Sequence, residues 1–307
     1  MTAQNTRLGI WLMVATTVVF ASQDAISRYL AAEYNVLMVV MIRYWFFAAF
    51  VIALAARQAG GIRAAAATRQ PLLQIGRGVL LALEVCLMVL AFVLLGLGET
   101  HAIFAAYPLI VAALSGPVLG ERVGWRRWTA IAVGFVGILI ILQPGLRVFQ
   151  PAALVPLAAA AGFALYALLT RFAARADSAA VSFFWTGTAG AVTMTLVGIW
   201  FWEPLAPRDW GWMGVLCMTA VLGHWLLIRA YEVAEASAVQ PFAYLQLVWA
   251  TALGVMLFGE TLAPNVLIGA AVVVAAGLFT LWRTRQVAAP VTGPEDRRRA
   301  GSPPGRH

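Results

Sequence analysis

Ten apolar stretches follow one another along this 307-residue chain, each about long enough to cross a bilayer as a helix. A spanning helix needs about 20 apolar residues. The runs lie at roughly 7–30, 36–56, 72–95, 101–119, 125–143, 151–171, 179–202, 209–230, 237–258 and 264–283. The interruptions are polar or helix-breaking: Gly60-Gly61 and Arg63 after the second run, Pro144-Gly145 and Pro151 after the fifth, Pro204 and Pro207 after the seventh. The first run exceeds the apolar region of a cleaved leader, and no small-residue cleavage site follows it, so it reads as a retained helix. From about Thr284 the pattern stops. Pro290, Gly293, Pro294, Arg297 to Arg299 and Pro303-Pro304 leave no apolar face to bury, and residues 284–307 are expected to form a disordered cytoplasmic tail.

The pattern is written twice. Phe20-Ala21-Ser22-Gln23-Asp24-Ala25-Ile26-Ser27-Arg28-Tyr29 is answered by Phe163-Ala164-Leu165-Tyr166-Ala167-Leu168-Leu169-Thr170-Arg171-Phe172. Gly78-Val79-Leu80 returns as Gly214-Val215-Leu216, and Gly120-Glu121 as Gly259-Glu260. The offset drifts from 143 to 136 to 139 residues, as unequal loops require. One unit therefore occupies 1–145 and its copy 146–283. Each unit holds five helices. Five is odd, so the copies enter the membrane from opposite sides. The predicted class is an all-α polytopic membrane protein of ten transmembrane helices in two inverted five-helix repeats. Such inverted repeats recur in secondary transporters, with the substrate site near the midplane between the halves.

Composition removes the soluble alternative. Hydrophobic residues make up 62%, charged residues 11%, and the mean hydropathy is +0.85; a soluble chain carries about a quarter charged residues. All 21 basic residues are Arg. Arg7, Arg57, Arg63, Arg69, Arg122, Arg126, Arg127, Arg175, Arg229, Arg283 and Arg285 gather on one set of alternate loops and ends, against Arg28, Arg147 and Arg208 on the other. That bias places both termini in the cytoplasm. It also directs the net charge of +8 at membrane lipid rather than nucleic acid. Trp200, Trp202, Trp210 and Trp212 flank the seventh-to-eighth connection, where an interfacial aromatic belt belongs. Cys86 and Cys217 lie in apolar runs and form no disulfide framework or metal site.

Further residues carry a family pattern: Leu119-Gly120-Glu121-Arg122 followed by Gly134 and Gly137, then Ala230-Tyr231 through Ala236-Ser237-Ala238-Val239-Gln240-Pro241, then Phe258-Gly259-Glu260. On these, residues 7–283 resemble the EamA-type transporters of the drug/metabolite transporter superfamily. The resemblance implies a basket of ten helices, with the fifth and tenth outside the substrate cavity and packed on each other. Ala130, Gly134, Gly269 and Gly277 are small enough for that packing. It also implies export of amino acids and other metabolites, with some members importing, and within the family it points to exporters of amino acids, including aromatic ones.

Ionisable groups deep in a membrane cost free energy and so mark cavities or partners. Asp24 lies about 9 Å below the outer surface and Arg43 about 10 Å, at 1.5 Å of rise per residue. Their matched depths make them a candidate pair, read either as a structural tie between the first two helices or as an outer gate or carboxylate clamp. Their repeat counterparts are Ala167 and Thr186. Glu84 sits near the midplane, opposite Ala220 in the repeat, as a partner for a substrate amino group, a carrier of a coupled proton, or a protonated helix-helix contact. His224, opposite Met88, is a second proton candidate or a helix-helix contact. Among Tyr107, Tyr166, Tyr244, Gln246 and Trp249, we expect Tyr107, Tyr166 and Gln246 to line the cavity, with Pro108 freeing a backbone carbonyl beside Tyr107. Arg28 and Arg171 read as snorkelling anchors. Glu121 and Glu260 read as stabilising the turn or helix start that follows each.

The resulting expectation is a secondary transporter in the bacterial inner membrane, exporting amino acids by alternating access, as a monomer, with a small-molecule substrate, membrane lipid and protons as partners. Import of a nucleoside-like or vitamin-like compound is the alternative. No Gly-x-x-x-x-Gly-Lys-[Ser/Thr] motif is present, so the chain does not hydrolyse ATP through its own P-loop. Gly-x-Ser-x-Gly and His-Glu-x-x-His are also absent, which sets aside an intramembrane enzyme. A non-transporting receptor is disfavoured by the duplicated ten-helix form. No cofactor, metal or nucleic acid is expected.

Overall fold

A computed structural model of the chain describes residues 5–120, 124–143, 150–173, 176–234 and 240–288. The predicted disordered tail beyond Ala288, Glu121, and the side chain of Arg171 lie outside what is described. Among the described residues all regular structure is helical: α1 Thr6–Glu33, α2 Val36–Arg57, α3 Gly61–Ala66, α4 Pro71–Leu95, α5 Leu97–Phe104, α6 Tyr107–Leu119 and α7 Trp125–Leu142 in the first half. The second half holds α8 Leu154–Ala173, α9 Ala179–Gly198, α10 Asp209–Val233, α11 Leu245–Phe258 and α12 Pro264–Ala288. Seven helical segments are long and apolar enough to span a bilayer, and three shorter apolar ones within 128–142, 242–258 and 264–279 complete the ten. The chain is a multi-pass membrane protein.

The helix starts follow local chemistry. Asn5, Asn35 and Ser178 cap α1, α2 and α9 through side-chain oxygens that accept the N–H groups of Leu8, Leu37 and Val181. Pro71 and Pro264 occupy first helical positions, where a missing N–H costs nothing. Inside the hydrocarbon, hydroxyls find partners on their own helix. Thr186, Thr188, Thr193 and Thr195 each donate to the carbonyl four residues back.

The principal packing runs between the halves. α1 packs on α10, α2 on α9, α4 on α8 and α9, α5 on α11, α6 on α8, and α7 on α12. Exchanging the halves maps the α1–α10 contact onto α4–α8 and the α6–α8 contact onto α1–α11, and returns α2–α9 and α7–α12 to themselves, as an inverted repeat requires. The fifth and tenth spans, α7 and α12, form the expected close pair. A Cβ on Gly137 would sit 2.9 Å from the Gly269 carbonyl oxygen, and one on Gly269 would sit 2.6 Å from the Gly137 carbonyl oxygen. The backbones touch because neither residue has a side chain.

Polar ties close both ends of the bundle. At the α1–α2 end, Asp209 accepts the hydroxyls of Tyr29 and Tyr34 at 3.2 and 2.7 Å, and Glu203 accepts the Asn35 N–H at 2.7 Å. Trp200, Trp202, Trp210 and Trp212 are exposed around this end. At the opposite end Asp177 accepts the Thr68 hydroxyl, the Gln74 amide at 2.8 Å and the Arg69 N–H at 3.1 Å. Burial alone would raise the Asp177 pKa, but these three donors and the nearby Arg69 charge outweigh it and hold the carboxyl below its usual range.

Two outcomes are expected. Gly269→Val should lower unfolding stability in detergent by about 1–3 kcal/mol through overpacking, whereas Gly214→Ala, with open space at its Cβ position, should leave it unchanged. Asp177 contributes stability above its unfolded-state pKa of about 4, and that contribution disappears as pH falls through its depressed folded value. Asp177→Asn should therefore flatten the acid limb of the thermal stability profile without altering its slope above neutrality.

Candidate substrate site

Two interrupted helices meet in the middle of the bundle. The fourth span, predicted as one helix over 101–119, is instead α5 and α6. Gly96, with φ 85° and ψ 176°, ends α4 and turns directly into α5. α5 runs only to Phe104, because Pro108 has no N–H for the Phe104 carbonyl. The Ala106 N–H bonds Ile103 at 3.1 Å, tightening the turn before α6 begins. In the second half, predicted as one helix over 237–258, a 3₁₀ turn at Gln240–Tyr244 precedes α11, and residues 237–239 lie outside the described ones. The offset of 139 residues aligns Tyr107 with Gln246, so the two breaks are repeat partners. Between them lies a cavity of about 50 Å³ lined by His101, Phe104, Tyr107, Pro108, Tyr244 and Gln246, among others. Irregular backbone at membrane depth survives where it lines such a space.

Asp24 holds the breaks together. Its Oδ2 lies 3.1 Å from His101 Nε2 on α5 and accepts the Gln246 amide of α11 at 3.0 Å. This corrects the expected Asp24–Arg43 pair: matched depth did not bring the two side chains onto facing sides of their helices. Arg43, 8% exposed, makes no hydrogen bond or ion pair with any described residue. His101 had been placed at the border of its span. Extending that helix back to Gly96 carries it inward, and its being one of three histidines in the chain was the available signal.

Glu260 also acts across the halves, not on the turn or helix that follows it. Its carboxylate accepts the N–H groups of Leu97 at 2.7 Å and Gly98 at 3.0 Å, capping α5, and it pairs with Arg28. Arg28, expected to snorkel into lipid, instead lies with its guanidinium carbon 4.0 Å over the Phe258 ring.

One wall of the site is a run of aromatic rings. Phe92 stacks on His101 with centroids 5.5 Å apart; Phe104 lies 5.3 Å from Tyr107 and 5.6 Å from Phe163; Tyr107 meets Phe163 edge-on at 5.0 Å. Tyr166 stands one ring further, 6.0 Å from Phe163, and Arg77 Nη2 reaches its hydroxyl at 3.5 Å. Tyr107, Tyr244 and Gln246 line the cavity, and Tyr166 continues the wall beyond it. Arg77, 1% exposed and bonded to Gln74, Thr170 and Tyr166, was not foreseen as a site-supporting residue. His224 is not among the residues lining the cavity; it lies between Phe20 at 5.3 Å and Phe47 at 5.6 Å, with Nδ1 2.8 Å from the Ala220 carbonyl. Glu84 is 5% exposed and lies outside the cavity between the breaks, packed opposite Gly162 of α8.

A duplicated helical basket with a cavity at paired helix breaks is the form of a membrane transporter, and comparison with known proteins gives the family. The profile of the EamA-like transporter family matches residues 7–143 and 150–282. The chain belongs to this family, whose members are transporters and not enzymes. It is 23% identical to the S-adenosylmethionine uptake transporter of Rickettsia prowazekii over 91% of this chain and 94% of that one. It is 29% identical to the riboflavin transporter of Vibrio cholerae over 90% and 94%, and 25% identical to the pseudopaline exporter CntI of Pseudomonas aeruginosa over 91% and 97%. A solved crystal structure shares the fold, with a TM-score of 0.60 at 18% identity over 92% of this chain and 98% of that one. The chain moves a small metabolite across a membrane.

Glu260→Gln is expected to cost about 2–3 kcal/mol of unfolding stability, because it leaves Arg28 largely buried without its counter-charge. Thermal unfolding in detergent measures it, and a change below about 0.5 kcal/mol, the size of an exposed-pair effect, would contradict the cross-half role.

Proposed function

We propose that this protein is a secondary transporter that exports amino acids, aromatic and apolar ones above all, by alternating access between its two halves. The observation that carries the reading is the cavity between the repeat-related breaks. Tyr107, Phe104 and Phe163 offer ring faces to an apolar side chain, Gln246 offers an amide, and the Asp24–His101–Gln246 contact joins elements of both halves across the site. Such a contact must break when the halves rock, which makes it sensitive to cargo and to protons. The loop arginines support cytoplasmic termini in a bacterial inner membrane, and the closed α7–α12 pair suits a protein acting as a monomer.

The aromatic wall favours a second cargo class as well. Planar heteroaromatic compounds stack on the same rings, and relatives are named for riboflavin and for uptake of S-adenosylmethionine. Direction follows the gradients the cell maintains.

A counterflow screen in liposomes separates these readings. Labelled L-phenylalanine should exchange against unlabelled aromatic and apolar amino acids, and Gln246→Ala should slow that exchange about tenfold in protein that still folds, the size of one lost hydrogen bond. Exchange of riboflavin or nucleosides with none of any amino acid would replace the first cargo class by the second.

A further inference from the structure

Among the described residues, six charged residues are at least nine-tenths buried: Asp24, Arg43, Arg77, Glu84, Asp177 and Asp209. Four of them are answered. Asp24 has His101 and Gln246, Arg77 has Gln74, Thr170 and Tyr166, Asp177 has Thr68, Gln74 and the Arg69 N–H, and Asp209 has Tyr29 and Tyr34. Arg43 and Glu84 alone of the six have no hydrogen bond or ion pair with a described residue. A guanidinium and a carboxylate withdrawn from water without partners carry a large desolvation cost. Neither is sealed completely: Arg43 keeps 8% of its surface accessible and Glu84 5%.

The two groups are close. α2 and α4 pack on each other. Arg43 is within electrostatic reach of Glu84. Opposite Glu84, α8 presents Gly162, where an added Cβ would just meet the Glu84 stem at 3.7 Å, so the glycine keeps α8 from crowding the carboxylate arm. Asp24 links this spot to the cavity, being bonded to two of its lining residues and within reach of Glu84. Phe163, the residue after Gly162, belongs to the aromatic wall.

We infer that Arg43 and Glu84 form a dipolar subsite for the α-amino carboxylate head of the cargo, with Arg43 taking the carboxylate and Glu84 the ammonium. The inference rests on the proposed amino acid reading and adds orientation to it: head toward α2 and α4, side chain toward Phe104, Tyr107 and Phe163. A guanidinium suits the head's carboxylate because it donates two parallel N–H groups. The repeat counterparts of Arg43 and Glu84, Thr186 and Ala220, are uncharged, so the subsite exists once and fixes a single binding orientation.

The test is binding to the purified full-length protein, read as ligand-induced thermal stabilisation and by calorimetry, with L-phenylalanine, its methyl ester and hydrocinnamate as probes. The ester lacks the carboxylate and hydrocinnamate lacks the ammonium. Wild type should prefer L-phenylalanine over each by about tenfold or more, the effect of one charge-assisted hydrogen bond. Arg43→Met should bind acid and ester alike, Arg43→Lys should keep the preference for the acid, and Glu84→Gln should bind L-phenylalanine and hydrocinnamate alike. If Arg43→Met does not fold, the wild-type comparison of acid with ester still decides. No discrimination by wild type, an unaltered preference in folded Arg43→Met, or no binding by any probe overturns the subsite. Counterflow of a cargo lacking a carboxylate, alongside any of those results, would leave transport standing without it.

Discussion

Inside a bilayer, a charge or an unfinished helix end finds no water, and this constraint organises the molecule. Where α5 begins at Gly96 its free N–H groups are taken by Glu260, and Glu260 in turn is balanced by Arg28. These three elements are far apart in sequence, from α1, from the start of α5 and from the α11–α12 connection. Satisfying one helix start therefore ties the two halves at the α1–α2 end. The same logic at the opposite end assembles Thr68, Gln74 and Asp177. Lipid supplies no hydrophobic drive between helices, so small residues and polar contacts such as these carry the specificity of assembly.

The halves pack on each other more than within themselves. Each principal contact joins a helix of one to a helix of the other, and the contacts map onto one another when the halves are exchanged. The cavity between the paired breaks is thereby lined by residues of both halves. Asp24 on α1, bonded to His101 on α5 and Gln246 on α11, joins both halves at that cavity.

Much of this was legible in the sequence, because hydrophobic run length and internal repetition report on one dimension, position along the membrane normal. The spans and the duplication follow from it, while the α7–α12 pair was implied by the family resemblance. What it could not report is the direction in which a side chain leaves its helix. Asp24 and Arg43 were matched in depth, yet Asp24 bonds to α5 and α11, while Arg43 bonds to no described residue. The partner of Arg28 is Glu260, at the far end of the chain, and no local pattern announces such a pairing. The helix break before Tyr107 was signalled by Pro108, but an unbroken apolar run hid its consequence, that His101 moves inward.

The central claim is that one site, between two repeat-related helix breaks, is reached in turn from the two sides of the membrane. The most direct measurement is accessibility at Gln246. With Cys86 and Cys217 replaced by Ala, Gln246→Cys is placed in sealed, uniformly oriented vesicles, and a membrane-impermeant maleimide is supplied from one side or the other. The account predicts labelling from both sides in the same preparation, slowed by a transported amino acid. Labelling from one side alone, whatever the cargo, would contradict it.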